Sequence, residues 1–346
     1  AVPAGSAGGH SRVRYPLGVP NARLIPVVAG LLLLTACGSP SATPSTSTSP
    51  SASTSATPSA SPTPSSTVKA QSSLDGITVK GAIGKKPTVT FDKPFAIDQT
   101  RVEVLVKGSG PKASADGSVT MDYYGVNGRD GKNFDESFSG TPATFPLNQV
   151  IAGFGKGLTG QQAGSRVLIA IPGADGYDAM GGNEAAGIAV GDTLIFVVDV
   201  LAVSVTEPSG KVVEPPAGLP KVTGGAADKP TVTIPSGSAP TSMSAVALIE
   251  GTGAKVAKGD TITARYVGYS WKTGKLIDDG FATPTSGALS GLIPGWQSGL
   301  LGKKVGSRVL LVLPPADGFP KGSNNPPVEA GDTVVYVIDL LFTQAA

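Results

Sequence analysis

Hydrophobic and polar positions alternate in short β-branched runs through the middle and C-terminal parts of the chain, the period-two signature of half-buried strands. The runs VEVLV (102–106), SVTMDYYGV (118–126), RVLIAI (166–171) and TLIFVVDVL (193–201) predict one set of strands. TITARYVGYSW (261–271), RVLLVL (308–313) and TVVYVIDLL (333–341) predict a second. Turn dipeptides such as Asn127-Gly128 and Asp130-Gly131 punctuate them. A helical pattern shows only in QVIAGFGKGL (149–158) and its match GLIPGWQSGL (291–300). Each interior glycine costs about 1 kcal/mol relative to alanine, so such a helix needs a sheet to hold it. One short helix against antiparallel strands predicts an α+β fold.

The two sets are copies of one unit. KPTVTF (86–91) recurs as KPTVTI (229–234), Tyr123-x-Gly125 as Tyr266-x-Gly268, GSRVL (164–168) as GSRVL (306–310), ADG (174–176) as ADG (316–318), and GDT (191–193) as GDT (331–333). Their spacing is nearly constant and too long for a solenoid repeat, which predicts two tandem globular domains, 73–205 and 225–346. The Pro/Gly-rich EPSGKVVEPPAGLPK (207–221) predicts a linker over 206–224.

Ahead of the repeats, Arg12, Arg14 and Arg23 precede the apolar run IPVVAGLLLLTA (25–36) and then Cys37, a signal-peptide layout over 1–36. The four residues Leu34-Thr35-Ala36-Cys37 resemble a bacterial lipobox, which predicts lipidation of Cys37 and a chain anchored on the outer face of the cytoplasmic membrane, in the bacterial cell envelope. From Ser39 to Thr67 every residue is Ser, Thr, Ala or Pro. That composition cannot bury enough apolar surface to order itself, so 37–72 is expected to be a disordered tether, with a reach on the order of 90 Å at about 3.1 Å per residue.

Composition then narrows the chemistry. The chain has 346 residues, a single Cys and a single His, His10. An intrachain disulfide, a multi-thiolate metal site and a His-based triad are all excluded by those counts, and no cofactor and no metal are expected. Cleavage before Cys37 removes three of the 27 basic residues and none of the 25 acidic ones, turning a formal +2 into a slight net negative charge. No basic patch argues for nucleic acid. GKGLTG (155–160) spells a dinucleotide-binding glycine motif but sits inside the helix pattern, away from a strand-to-helix turn. NGRDGKNFDE (127–136) lacks the carboxylate spacing of a calcium loop and reads as a hairpin turn.

The ordered set YYG (123–125), GKNFDESF (131–138), PATFPLNQVIAGFGKGLTG (142–160), GSRVLIAIPGADGY (164–177) and GDTLIFVVDVL (191–201) resembles the FKBP family of peptidyl-prolyl isomerases. The resemblance covers roughly 98–204, with a more divergent copy over roughly 241–342. It implies two tandem FKBP-like domains, each a twisted antiparallel sheet wrapping one short helix with an aromatic pocket between them. Rotation about an X-Pro bond breaks amide resonance but no covalent bond. A dry pocket and a few hydrogen-bond donors suffice for it, so the lack of His and Cys is no obstacle.

Carried over position by position, the resemblance puts Tyr123, Phe134, Asp135, Val150, Ile151, Phe154, Tyr177 and Phe196 at the first pocket. Phe154 stands where the family usually has a floor Trp, and Ala143 holds a wall position often occupied by Phe. The Ile151 backbone N–H and the Tyr177 hydroxyl match the two donors that hold the ligand, and Asp135 the carboxylate that hydrogen-bonds a neighbouring Tyr. The second pocket is implied at Tyr266, Ile277, Asp278, Leu292, Ile293, Trp296, Phe319 and Tyr336. There Ile277 replaces a Phe, Phe319 replaces the hydroxyl-bearing Tyr, and TPTSGALSG (283–291) lacks the family's Phe. Taken singly, Phe134, Phe154 and Phe196 read as core residues and Asp135 as a turn carboxylate.

The resemblance implies proline-containing segments of client proteins as partners, FKBP-directed macrolides as inhibitors, and a monomer that meets the membrane through its lipid. The alternatives from other classes are a non-catalytic prolyl-peptide-binding or chaperone module, above all for the second copy, and a purely structural spacer.

Overall fold

The computed structural model describes residues 68–345. His10, Cys37, the signal-peptide layout and the Ser/Thr/Pro tract lie outside the described residues. The first domain runs β1 (Thr78–Lys80), β2 (Thr88–Thr90), β3 (Arg101–Val106), β4 (Ser118–Asn127), β5 (Asn133–Glu136), β6 (Ala143–Pro146), α1 (Ala152–Leu158), β7 (Arg166–Ile171) and β8 (Leu194–Val203). The second repeats it with an extra leading strand: β9 (Gly210–Val212), β10 (Lys221–Thr223), β11 (Thr231–Thr233), β12 (Ser244–Gly251), β13 (Thr261–Ser270), β14 (Leu276–Asp279), β15 (Thr285–Ala288), α2 (Pro294–Leu300), β16 (Arg308–Leu313), the short pair β17 (Ser323–Asn324) and β18 (Pro327–Val328), and β19 (Val334–Gln344). The expected α+β architecture is present in both copies.

Every pairing in the two main sheets is antiparallel, with strand order β3-β7-β8-β4-β5 in the first and β14-β13-β19-β16-β12-β9 in the second. β6 and β15 pair with the outer halves of β4 and β13. Both helices are a turn shorter than their sequence patterns, because Val150 and Ile151, and likewise Leu292 and Ile293, are extended. Seven residues cannot sustain a helix in water. What holds α1 is close contact with β7: a Cβ on Gly153 would lie 2.2 Å from Ile171 Cγ2, and one on Gly157 would lie 2.8 Å from Ile169 Cδ1. Gly295 and Gly299 sit in the same way on Leu313 and Leu311. The helix glycines thus face the sheet one turn apart, and Phe154 and Leu158 are buried with them.

A third layer covers the other face of each sheet. Val167, Ile169 and Ile171 point to the helix side, while Leu168 and Ala170 pack with Leu74, Ile77, Phe95 and Ile97 beneath the β1–β2 hairpin. This explains why RVLIAI and RVLLVL are unbroken apolar runs, since both faces of the central strands are dry. The hairpin turn is fixed by one buried ion pair. Arg166 donates from Nε and Nη2 to both carboxylate oxygens of Asp199 at 2.5 and 2.7 Å, and its remaining donors reach the Gly81 and Lys85 carbonyls at 2.8 Å. In the second copy Arg308 grips Asp339 and the carbonyls of Gly225, Ala226 and Asp228, and Arg265 adds a bond to Asp339 at 2.9 Å.

Two expected boundaries need correction. The span 206–224 is not a free linker: β9 pairs with β12, β10 with β11, and Leu219 and Val222 pack on the back of the second sheet. The expected tether over 37–72 ends earlier, since Gln71 is already bonded to Ala96 and Asp98 through the backbone. The two copies also touch directly, with the Val205 N–H donating to the Leu341 carbonyl at 2.9 Å.

Removing one member of a buried ion pair leaves the other charged and unpaired, at a cost of about 3–5 kcal/mol. Arg166→Ala should destabilise the first domain by about that much, whereas Arg308→Ala should cost the second clearly less, because Arg265 still reaches Asp339. Urea unfolding followed by circular dichroism and by tryptophan fluorescence checks this, both tryptophans, Trp271 and Trp296, lying in the second domain.

Candidate functional site

The first site is built where β4, β5 and β8 meet the start of α1. Tyr123 on β4 and Phe196 on β8 face the same side as Phe154 at the front of the helix, and all three are buried. Their rings interlock: Phe134 meets Phe196 edge to face at 5.4 Å and 88°, Tyr123 meets Phe154 edge to face at 6.4 Å, and Phe196 lies tilted 4.8 Å from Phe154 and 6.4 Å from Tyr123. Half-buried Phe134, Val150, Ile151 and Tyr177 close around them. The structure therefore gathers all eight residues expected here.

Asp135 is the polar group of this aromatic enclosure. Its Oδ2 accepts from the Tyr123 hydroxyl at 2.7 Å, and its Oδ1 accepts from the Glu136 N–H at 2.9 Å. Burial, reinforced by the bond to Asp135, pushes the Tyr123 hydroxyl well above the ordinary phenol range, so it remains a donor. Burial also raises Tyr177, against the opposing effect of Asn183. The Ile151 N–H makes no hydrogen bond among the described residues, because the residue is extended and precedes the first helical turn. It is a free donor at the mouth of the pocket.

Two contributors escaped the sequence reading. Phe145 lies two residues beyond Ala143 on β6, on the same face, and its ring is 6.3 Å from Tyr123, so the wall at Ala143 is not bare. Period-two alternation along ATFP carried that signal. Gly125 is the other: a Cβ there would meet Phe134 Cζ at 2.7 Å and Phe196 Cε1 at 2.9 Å. The Tyr-x-Gly repeat is thus a tyrosine facing the pocket and a glycine over which the wall rings pass.

The family described as FKBP-type peptidyl-prolyl cis-trans isomerase matches residues 110–201 and again 252–341, together more than half of the chain. The chain belongs to this FKBP family. Among its relatives are a Corynebacterium glutamicum protein named "Probable FK506-binding protein", 37% identical over 117 residues, which are 33% of this chain and 98% of that protein, and an FK506-binding protein of Streptomyces anulatus, 38% identical over 124 residues, 34% and 98% of the respective lengths. The crystal structure of a peptidyl-prolyl isomerase from Pseudomonas syringae pv. tomato is 33% identical, spans 31% of this chain and 76% of that one, and gives a TM-score of 0.28. The chain is an FKBP-type isomerase with the family domain in tandem.

The second FKBP domain assembles its expected residues as well, around a different centre. Trp296 forms T-shaped contacts with Tyr266 at 5.0 Å and Tyr336 at 5.2 Å. Ile277, Leu292, Ile293 and Phe319 are half-buried around them. Asp278 does not bond the Tyr of the β4-equivalent strand; it accepts from Tyr336 on β19 at 3.1 Å. Burial raises Asp278, opposed by that hydrogen bond. The Trp296 indole N–H is buried and without a partner among the described residues. At the place of Phe145 stands Gly287, so this pocket lacks a ring on one side.

Gly125→Ala should displace the Phe134 and Phe196 rings. A shift of about 1 Å in a positioning wall can cost up to roughly a hundredfold in rate, so kcat/KM of the first domain should fall at least about tenfold. Prolyl-peptide kinetics alongside a melting curve checks that the loss exceeds the change in stability.

Proposed function

We propose that this isomerase acts on X-Pro bonds of exported or envelope proteins while tethered to the membrane surface, and that its first domain carries most of the catalysis. The observation that carries the catalytic part is the Tyr123–Asp135 pair set in a five-ring enclosure beside the unpartnered Ile151 N–H. The aromatic walls desolvate the imide, which weakens amide resonance, and the free donors hold the flanking carbonyls while the bond twists. No proton moves and no covalent bond changes.

The envelope placement rests on the sequence: the arginine-then-apolar segment, the Leu34–Cys37 lipobox pattern and the Ser/Thr/Pro tract. A folding-assistance role follows from that placement, because chains emerging from export carry X-Pro bonds that isomerise slowly unaided. The relatives named as FK506-binding proteins support macrolide binding in the first pocket. For the second domain a non-catalytic prolyl-peptide-binding role is the competing reading, favoured by Phe319 in place of the Tyr177 hydroxyl.

In a prolyl-peptide isomerisation assay Asp135→Ala should lower kcat/KM at least about tenfold, by freeing the buried Tyr123 hydroxyl from its partner. Tyr177→Phe should lower it by about two- to tenfold, the worth of one hydrogen bond. A full chain with no rate above background overturns the catalytic reading. For the tether, Cys37→Ser should abolish incorporation of a labelled fatty acid and release the protein from membranes; labelling that persists in the variant overturns the anchor.

A further inference from the structure

In the first domain the tyrosine on the central strand is engaged internally and another tyrosine faces outward. The Tyr123 hydroxyl is taken up by Asp135, its backbone N–H by the Ser137 hydroxyl at 3.0 Å, and the hydroxyl at the pocket rim belongs to Tyr177. The second domain changes each of these positions. Tyr336 pairs with Gly268 as Phe196 pairs with Gly125, so β19 brings a hydroxyl where β8 has none, and that hydroxyl captures Asp278. Phe319 leaves the rim without the hydroxyl that Tyr177 supplies.

Gly280 stands where the first domain has Ser137: both return a backbone bond to the pocket tyrosine, and Gly280 has no side chain to offer its N–H. The Tyr266 ring fills that space, since a Cβ on Gly280 would lie 2.6 Å from both Cε1 and Cζ of the ring. Held between Gly280 and the edge-on Trp296, Tyr266 is only half-buried. Its hydroxyl makes no hydrogen bond among the described residues. Burial, with Asp278 and Asp279 nearby, raises Tyr266 above the ordinary phenol range and keeps that hydroxyl protonated. The Trp296 indole N–H, also unpartnered, is a second donor in the same ring cluster.

We infer that the second pocket has exchanged its hydroxyls: Tyr336 takes over the carboxylate, and Tyr266 becomes the donor that holds a carbonyl of a proline-containing peptide, in place of the hydroxyl missing at Phe319. The inference rests on the second pocket being a prolyl-peptide site. Tyr266 is then its affinity-determining residue, and the pocket is equipped to bind even though its carboxylate is engaged differently from Asp135.

The test uses the full chain. The first domain contains no tryptophan, so emission excited selectively from tryptophan reports on the second domain alone, with Trp296 in the pocket and Trp271 on the opposite face of the sheet. Titration with a short X-Pro peptide should perturb the emission. Tyr266→Phe, which keeps the ring, should weaken binding about two- to tenfold, and adding Phe319→Tyr should recover the loss. A parent protein that binds but is unaffected by Tyr266→Phe overturns the donor assignment alone. So does a double variant that stays weak. A parent protein with no response at millimolar peptide overturns the prolyl-peptide reading of this pocket and the inference with it.

Discussion

A guanidinium buried against a carboxylate decides how these domains are layered. Arg166 and Asp199 sit opposite each other on β7 and β8, and their charges are tolerable inside the protein because four guanidinium hydrogen bonds and both carboxylate oxygens are engaged. Part of that satisfaction comes from the carbonyls of the hairpin turn, and the Gly84 N–H closes the set on Asp199 at 2.7 Å. The hairpin cannot leave without exposing an unsatisfied buried charge. Its presence dries the back of the sheet, which in turn permits the unbroken apolar strands on whose front face the helix and the pocket are assembled. Arg308 and Asp339 repeat the arrangement.

On the front face the limiting constraint is distance. Backbone and ring must approach more closely than a side chain allows, so glycine recurs wherever layers meet: under the helix at 153 and 157, and under the wall rings at 125 and 268. The cost in helix propensity is offset by burial of Phe154 and Leu158. The two copies share this scaffold and differ in where they place hydroxyls. In the first, one tyrosine engages the carboxylate from β4; in the second, a different tyrosine does so from the last strand. At the position of Phe196 stands Tyr336, whose hydroxyl takes the carboxylate, while Gly287 and Gly280 replace Phe145 and Ser137 around it.

Much of this was legible in the sequence because it is periodic or repeated. The strands of the sheet centres, both helices and the sixteen pocket positions follow from alternation, self-similarity and family resemblance. β12 of the second main sheet was missed, since SAVALIEG mixes small and large residues without a clear period. The hairpin layer was hidden for another reason. KPTVTF and GSRVL were visible as repeats, but nothing local says that an arginine in one will be neutralised by Asp199 and capped by carbonyls beside the other. The supposed linker misled because its prolines and glycines mark turns between very short strands as readily as an unstructured connection. The Asp278 partner could not be read at all, since two tyrosines were available and only packing chooses between them.

One scaffold carries two pockets with different hydroxyl wiring, and on the reading proposed above the first does most of the isomerisation. Exchange spectroscopy on an X-Pro peptide with catalytic amounts of the full chain tests it most directly, by comparing Asp135→Ala with Asp278→Ala. Accelerated cis–trans exchange is expected, largely lost with Asp135→Ala and largely retained with Asp278→Ala. Equal losses from the two variants, or loss from Asp278→Ala alone, would contradict it.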